Sequence, residues 1–385
     1  MTDSFNNWVG GLYYVKNIIF SLTQNENFIH QKIYILVNKK NREVFSEFLK
    51  YSNCCIIETG KNKISTSISI MSSKLLFRTI DLEVIRICKK YNINYIFPVN
   101  KYPYILNKNK CIFWIPDLQH IFLPELFNKH EIIHRNMLFR YISKAKNNLV
   151  LSSKSAFNDF KSSFPTHRCK VRVIPFVSYI ENEVMTITDQ ITDNVKQKYK
   201  LPQKFIFLPN QFWQHKNHEL AFKAIDYLVN HLHNNVCLVC TGNTNDYRNV
   251  NYYNSLISYI SDNNITDNIR ILGFIPRIDQ LAIMKLSTIV IQPSLFEGWG
   301  TVVEDCKVLD KYIIMSDLDV HYEQASSKSY IFKRDDHVDL AVKIQELLAL
   351  SDKESQISNV DKGISYIYNQ AKEYAYQFYN ILDEK

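Results

Sequence analysis

The side chains that bear most directly on chemistry gather in Pro293-Ser-Leu-Phe-Glu-Gly-Trp-Gly-Thr-Val-Val-Glu-Asp305. Gly298 and Gly300 precede a helical pattern that opens at Thr301. Glycines there let the backbone come close to a ligand, and N–H groups at a helix start attract an anion such as phosphate. Glu297 stands before the turn, and Glu304 and Asp305 lie about one helical turn inside it, where a carboxylate accepts hydrogen bonds from vicinal sugar hydroxyls. Taken alone, the segment reads equally well as a structural turn with capping acids.

A second segment, Phe205-Ile-Phe-Leu-Pro-Asn-Gln-Phe-Trp-Gln-His-Lys-Asn-His218, again runs strand, loop, helix. Lys216 at the helix start opposes the helix dipole unless an anion sits between them. The choice there is a phosphate contact or a solvated lysine. A third, Asn6-Asn-Trp-Val-Gly-Gly-Leu-Tyr13, puts Gly10 and Gly11 at the opening of a helix over Leu12–Leu22, a weaker anion signal of the same kind. In Trp114-Ile-Pro-Asp-Leu-Gln-His120, His120 falls past the C-terminal edge of a strand, where α/β ligand sites form; a satisfied loop histidine is the alternative.

Two patterns imitate other chemistries. His130-Glu-Ile-Ile-His134 has the spacing of a zinc hydrolase helix, but no Gly-x-x-His follows and the next acid after Glu131 is Asp159. Cys237-Leu-Val-Cys240 lies in a strand, where residues three apart point to opposite faces, so it reads as core.

The elements that must position these residues alternate along the whole chain. Strands are expected at Lys32–Asn38, Cys54–Glu58, Tyr95–Val99, Cys111–Ile115, Asn148–Leu151 and Val171–Ile174, with the clearest helices at Leu75–Tyr91 and Glu131–Ala145. A second series follows at Lys204–Pro209, Val236–Thr241, Ile269–Leu272, Thr288–Gln292, Tyr312–Met315 and Tyr330–Phe332, with helices near 217–233, 252–263, 279–286, 301–309 and 336–350. Two βα series predict two parallel-sheet domains, bounded in the polar stretch Phe176–Asn194. Ile364–Leu382 carries apolar residues at helical spacing with no strand after it, so that helix must pack on something already built.

The eight glycines in 385 residues are about three-tenths of the usual share. That excludes collagen-like and Gly-rich linker chains and draws attention to where glycine survives. Eight cysteines in a chain this long, with no secretory leader pattern, read as reduced thiols of a cytosolic protein. Net charge is +8, but residues 1–180 hold 26 Lys+Arg against 11 Asp+Glu (+15), and residues 181–385 hold 20 against 27 (−7). The first half therefore faces something anionic or is a solvated basic surface.

Taken together, the segments resemble the retaining glycosyltransferases of family 4 (group 1). Gly273-Phe-Ile-Pro, Pro293-Ser-Leu-Phe-Glu-Gly-Trp-Gly, Ser316-Asp317 and Glu323 stand in family order and spacing. The resemblance implies an α/β GT-B fold, with two Rossmann-like β/α/β domains facing a cleft and a C-terminal helix crossing back to the first domain. It implies an acceptor domain over 1–180, a nucleotide-sugar domain over 195–355, and a terminal helix over 360–385. By the same resemblance Gly10, Gly11 and Lys216 hold the donor diphosphate, Phe274 and Ile275 contact the base, His120 contacts the transferred sugar, and Glu297 acts on it. Gly298, Gly300 and Thr301 complete the donor loop.

Three departures stand out. The family's paired acids, eight positions apart, fall here on Glu297 and Asp305, with Glu304 one short; Asp305 is assigned to the ribose. Gln211 occupies a donor-binding position where the family commonly has arginine, so one diphosphate charge is missing or supplied elsewhere. The family places a full strand before the Gly-Gly loop, where Met1–Phe5 stands here.

The expected activity is transfer, with retention and without an obligatory metal, from a UDP- or GDP-sugar to a lipid-linked or polysaccharide acceptor in surface-glycan (O-antigen or capsule) synthesis. The enzyme would work peripherally at the inner face of an anionic membrane. Alternatives are a sugar-nucleotide epimerase or phosphorylase of the same fold, or a basic nucleic-acid-binding protein, although no helix-turn-helix, finger or RNP signature is present.

Overall fold

The computed structural model describes residues 9–60, 82–100, 111–351 and 360–383. Met1–Phe5, Asn6–Trp8 and the 75–81 part of the expected Leu75–Tyr91 helix lie outside them. The chain forms two compact units. The first comprises Met1–Leu118, His130–Tyr179 and Tyr368–Lys385; the second comprises Gln119–Lys129 and Ile180–Ile367.

In the first unit β1 (Ile33–Asn38) pairs in parallel with β2 (Cys54–Thr59). A separate parallel sheet runs β3 (Ile96–Val99), β4 (Cys111–Trp114), β5 (Asn148–Leu151), β6 (Lys170–Val173) in that spatial order. The helix Val9–Thr23 buries Tyr14, Ile18, Ile19 and Phe20. Tyr14 stacks on Trp114 of β4 at 3.8 Å between ring centroids, and Phe20 stacks on Tyr179 at 4.1 Å.

The second unit is a single six-stranded parallel sheet of β7 (Ile206–Leu208), β8 (Leu238–Cys240), β9 (Ile269–Ile271), β10 (Ile289–Gln292), β11 (Ile313–Ser316) and β12 (Ser329–Phe332). Its spatial order is β12-β11-β10-β7-β8-β9. Every residue of β7, β8, β10 and β11 is buried, as expected of parallel strands covered by helices on both faces. The core joins Ile206, Leu238 and Ile289 of the sheet to Ala221, Ile225, Leu340 and Ile344 of the covering helices.

The strands of both series fall within a residue or two of their expected positions. Phe176–Asn194 does not remain irregular: it folds into Glu181–Thr186 and the start of Asp189–Lys198. Thr188 caps the second of these, accepting a hydrogen bond from the Ile191 N–H at 3.4 Å. Lys198 and Tyr199 each reach Asp279 at 2.7 Å, joining this helix to Arg277–Leu286. Val177, Ile180, Val184 and Ile187 of the stretch are buried, but the helix Glu181–Thr186 is too short to show a period.

The last helix, Val360–Asp383, serves both units in turn. Within the second, a Cβ on Gly363 would lie 2.0 Å from the Val308 carbonyl oxygen, so only glycine lets the helix pass the end of Thr301–Val308 this closely. Within the first, Tyr374, Phe378 and Tyr379 are buried, the Phe378 ring alone contributing roughly 1.5–3 kcal/mol. Phe378 packs on Phe97 and Tyr379 on Phe28, and the Tyr379 hydroxyl donates to the Leu22 carbonyl at 3.3 Å.

Candidate active site at the switch point of the second sheet

Strand order in the second sheet reverses between β7 and β10: from β7 the chain moves outward to β8 and β9, then returns to β10 and moves outward the other way. Loops leaving the carboxyl ends of two such strands diverge and leave a crevice, the place where open α/β sheets bind ligands. Lys216 follows β7 and Glu297 follows β10. The fold itself therefore brings the two strongest candidate residues together.

Lys216 Nζ donates to Glu297 Oε1 at 2.5 Å, with 16% and 9% of the two side chains exposed. The same oxygen accepts from Gln292 Nε2 at 2.7 Å and Ser294 Oγ at 2.8 Å. Gln292 is fixed in turn by Asn210, whose Nδ2 donates to its Oε1 at 2.8 Å. Burial alone would push the Glu297 carboxyl up, but the Lys216 ammonium outweighs it and holds the group below its ordinary value, so Glu297 is ionised. The anion that Lys216 needed at its helix start is, in this structure, the Glu297 carboxylate.

Lys216 lies in a 3₁₀ turn, Gln214–Lys216, and Asn217 in the left-handed region (φ 56°) turns the chain into the helix His218–Asp226. A Cβ on Gly242, which has φ +140°, would sit 2.1 Å from the Asn210 carbonyl oxygen. Glycine there lets the loop after β8 press against the loop after β7.

His321 stands behind the pair. Its Nδ1 lies 2.8 Å from the Ser316 carbonyl, an acceptor only, so Nδ1 carries the proton and buried Nε2 is an acceptor that no donor among the described residues reaches. Burial holds this ring neutral, against the pull of Glu297.

The remaining expected residues are distributed as follows. Gly10 and Gly11 lie in the first turn of the helix Val9–Thr23 of the first unit, not in a loop before it. Gly300 caps Thr301–Val308, and Gln324 grips it from both sides, accepting from its N–H at 2.9 Å and donating to its carbonyl at 3.0 Å. Thr301 is the first residue of that helix, and Gly298 and Glu297 lie in the preceding loop. Gln211 is turned to the loop after β8, where it accepts from the Asn243 N–H at 3.0 Å. Phe274 is 67% exposed, whereas Ile275 is buried. His120 is buried in the short helix Gln119–Phe122, edge-on to Phe127.

The two acids of Thr301–Val308 are occupied. Both Asp305 oxygens are held by Arg277 Nη2, at 2.7 and 2.6 Å, and the side chain is 1% exposed. Glu304 is also buried: Oε1 accepts from Lys307 and Gln324 at 2.8 Å each, and Oε2 accepts from Tyr366 at 2.9 Å. Neither carboxylate offers open oxygen surface to a ribose. Asn210, Gln292, Ser294, Gln324 and Arg277 were missed from sequence. Gln292 had a readable signal, a polar residue ending an otherwise apolar buried strand at the sheet's carboxyl edge.

Residues 189–362 match the family model described as glycosyl transferases group 1. The chain carries a group 1 glycosyltransferase domain. The enzyme is thus a glycosyltransferase, and its donor class is the nucleotide sugar. No curated protein sequence matches the chain. Among solved structures, a glycosyltransferase from Rickettsia africae ESF-5 is 14% identical, with 100% of this chain and 98% of that one covered and a TM-score of 0.68. Anabaena HepE in complex with UDP and glucose is 12% identical over 96% and 95% of the two chains, at 0.65. Sucrose-phosphate synthase from Thermosynechococcus elongatus is 13% identical over 96% and 92%, at 0.64. At these identities the shared property is the fold. For the glycosyltransferase, the expected GT-B architecture, with two parallel-sheet units and a terminal helix packing back on the first, stands. Among the described residues no group of three or more His, Cys, Asp or Glu side chains converges on a metal site, and no helix is long and apolar enough to cross a membrane.

Proposed function

We propose that this glycosyltransferase moves a hexose from a UDP- or GDP-sugar, with retention, to a lipid-linked or polysaccharide acceptor of a surface glycan at an anionic membrane face. The observation that carries the reading is the Lys216–Glu297 pair at the switch point. Cleaving a sugar from a diphosphate separates charge: negative on the leaving phosphate, positive at the anomeric carbon. A fixed ammonium and a fixed carboxylate side by side form a dipole matched to that separation, with no reorganisation needed as the bond breaks. Lys216 takes the phosphate, and the positive end of the helix Thr301–Val308 adds to the attraction. Glu297 faces the sugar, His120 holds one of its hydroxyls, and Phe274 covers the base.

The membrane reading rests on the +15 charge of residues 1–180 and on the helix Lys129–Lys144, which exposes Ile133 and Met137 beside His130, His134, Arg140 and Lys144. Apolar side chains within a basic face suit an anionic headgroup layer. One experiment tests both parts. The enzyme is given a ¹³C-labelled UDP- or GDP-hexose and a lipid-linked acceptor in phosphatidylglycerol vesicles, and the product's anomeric coupling is read by NMR. The product should keep the donor's configuration, with turnover falling when neutral phosphatidylcholine replaces the anionic lipid. An inverted product contradicts retention, and equal turnover on both lipids contradicts membrane attraction.

A further inference from the structure

The segment Gln119–Lys129 belongs to the second unit, although the residues on both sides of it, to Leu118 and from His130, belong to the first. Something must hold this excursion in place, and it carries His120. Its anchor is Arg248, in the loop after β8, whose side chain is only 7% exposed.

The guanidinium bonds along three edges to three segments far apart in sequence. Nε donates to Asp246 Oδ1 at 3.1 Å, Nη1 to Gln119 Oε1 at 3.2 Å, and Nη2 to His215 Nδ1 at 3.3 Å. An arginine only donates, so His215 Nδ1 accepts; burial, with Lys216 and Arg248 adding to it, keeps that ring neutral and able to do so. Asp246 fixes the fork from behind, because its Oδ2 also accepts from the Gln214 N–H at 3.2 Å. The guanidinium lies 5.4 Å from the Phe127 ring centroid and 5.0 Å from that of Trp213. Gln119 and Phe127, at the two ends of the excursion, are thus tied to the turn that presents Lys216. Phe122 between them stacks on Phe296 of the Pro293–Gly300 loop at 5.7 Å.

We propose that Arg248 is a positioning residue for transfer: it clamps Gln119–Lys129 to the Lys216 turn, so that His120 is carried by the same rigid unit as the diphosphate-binding lysine. The inference rests on the reading of His120 as a sugar-contacting residue. A lysine cannot replace the arginine, because it lacks the planar fork that bonds three partners while stacking between rings.

The test uses the full-length enzyme as Arg248→Ala, Arg248→Lys, His120→Ala and the Arg248→Ala/His120→Ala double variant. It reads hydrogen exchange of peptides within 119–129, affinity for UDP and GDP, and kcat. Arg248→Ala should speed exchange in 119–129 and leave nucleotide affinity within about two-fold of wild type. It should lower kcat by up to about 10²-fold, the scale of a misplaced contact group, with partial recovery on adding free guanidinium. Arg248→Lys, which keeps the charge and guards against a folding artefact, should loosen the same peptides. In the His120→Ala background the arginine change should cost nothing further.

Unchanged exchange in 119–129 would overturn the clamp. A nucleotide affinity lost along with kcat would instead make Arg248 a diphosphate contact, and an equal loss in the His120→Ala background would show that it acts through another group. If His120→Ala itself keeps full turnover while Arg248→Ala still loosens 119–129, the clamp stands and the role of His120 falls.

Discussion

Glu297→Gln is expected to lower kcat by about 10²–10³-fold, the range found when one preorganised charge-stabilising group is lost, with nucleotide binding little changed. The amide retains an oxygen at the position where Lys216, Gln292 and Ser294 converge, so the substitution removes charge with little change in shape. Steady-state kinetics with a nucleotide sugar, alongside calorimetry, checks it; turnover within a few-fold of wild type would refute the assignment. The pH profile gives the same group a second signature. Lys216 holds Glu297 below the ordinary value of 4.5, so wild-type activity should not fall through protonation of this carboxylate until the pH drops below that value. The carboxylate-dependent stability of the pair is likewise present above it and lost as pH falls through the lowered pKa.

Arg277→Ala should destabilise the second unit by about 3–5 kcal/mol, because it leaves Asp305 as an unpaired carboxylate with 1% of its side chain exposed. For a unit of this size that is a fall in melting temperature of roughly 6–20 °C, read by differential scanning calorimetry. The double variant Arg277→Met/Asp305→Leu should recover most of the loss, since apolar groups of similar volume leave no buried charge. A double variant as unstable as the single one would contradict this account of the pair. The structure thus gives Asp305 to a buried ion pair, where its eight-residue offset from Glu297 suggested a ribose contact.

That contrast shows what was legible in the sequence and what was not. The strands were readable because each is a short apolar run closed by turn residues, and their alternation with helical patterns specified parallel sheets. Lys216 and the Glu297 loop were readable because a cation at a helix start and glycines before one are locally anomalous. What lay hidden depends on partners distant in sequence. Arg277 lies 28 residues from Asp305, and Arg248 lies 129 from Gln119. Nothing local distinguishes either arginine from a solvated one. The Phe176–Asn194 stretch was hidden for a different reason: Val177, Tyr179, Ile180, Val184 and Ile187 are buried, but they are spread over a loop and the six-residue helix Glu181–Thr186, too short to show a period. Gly363 had no local reason either; its reason is the Val308 carbonyl on another helix.

We propose that the β7–β10 switch point is a nucleoside-diphosphate sugar site built on Lys216. Isothermal titration calorimetry of UDP, GDP and their hexose conjugates against wild type and Lys216→Met tests it most directly. Wild type should bind one nucleotide series, and Lys216→Met should weaken that binding by roughly 10–100-fold, the loss of one charge-assisted hydrogen bond of about 1.5–3 kcal/mol. Binding of neither series by the wild type, or equal affinity in the two proteins, would contradict it.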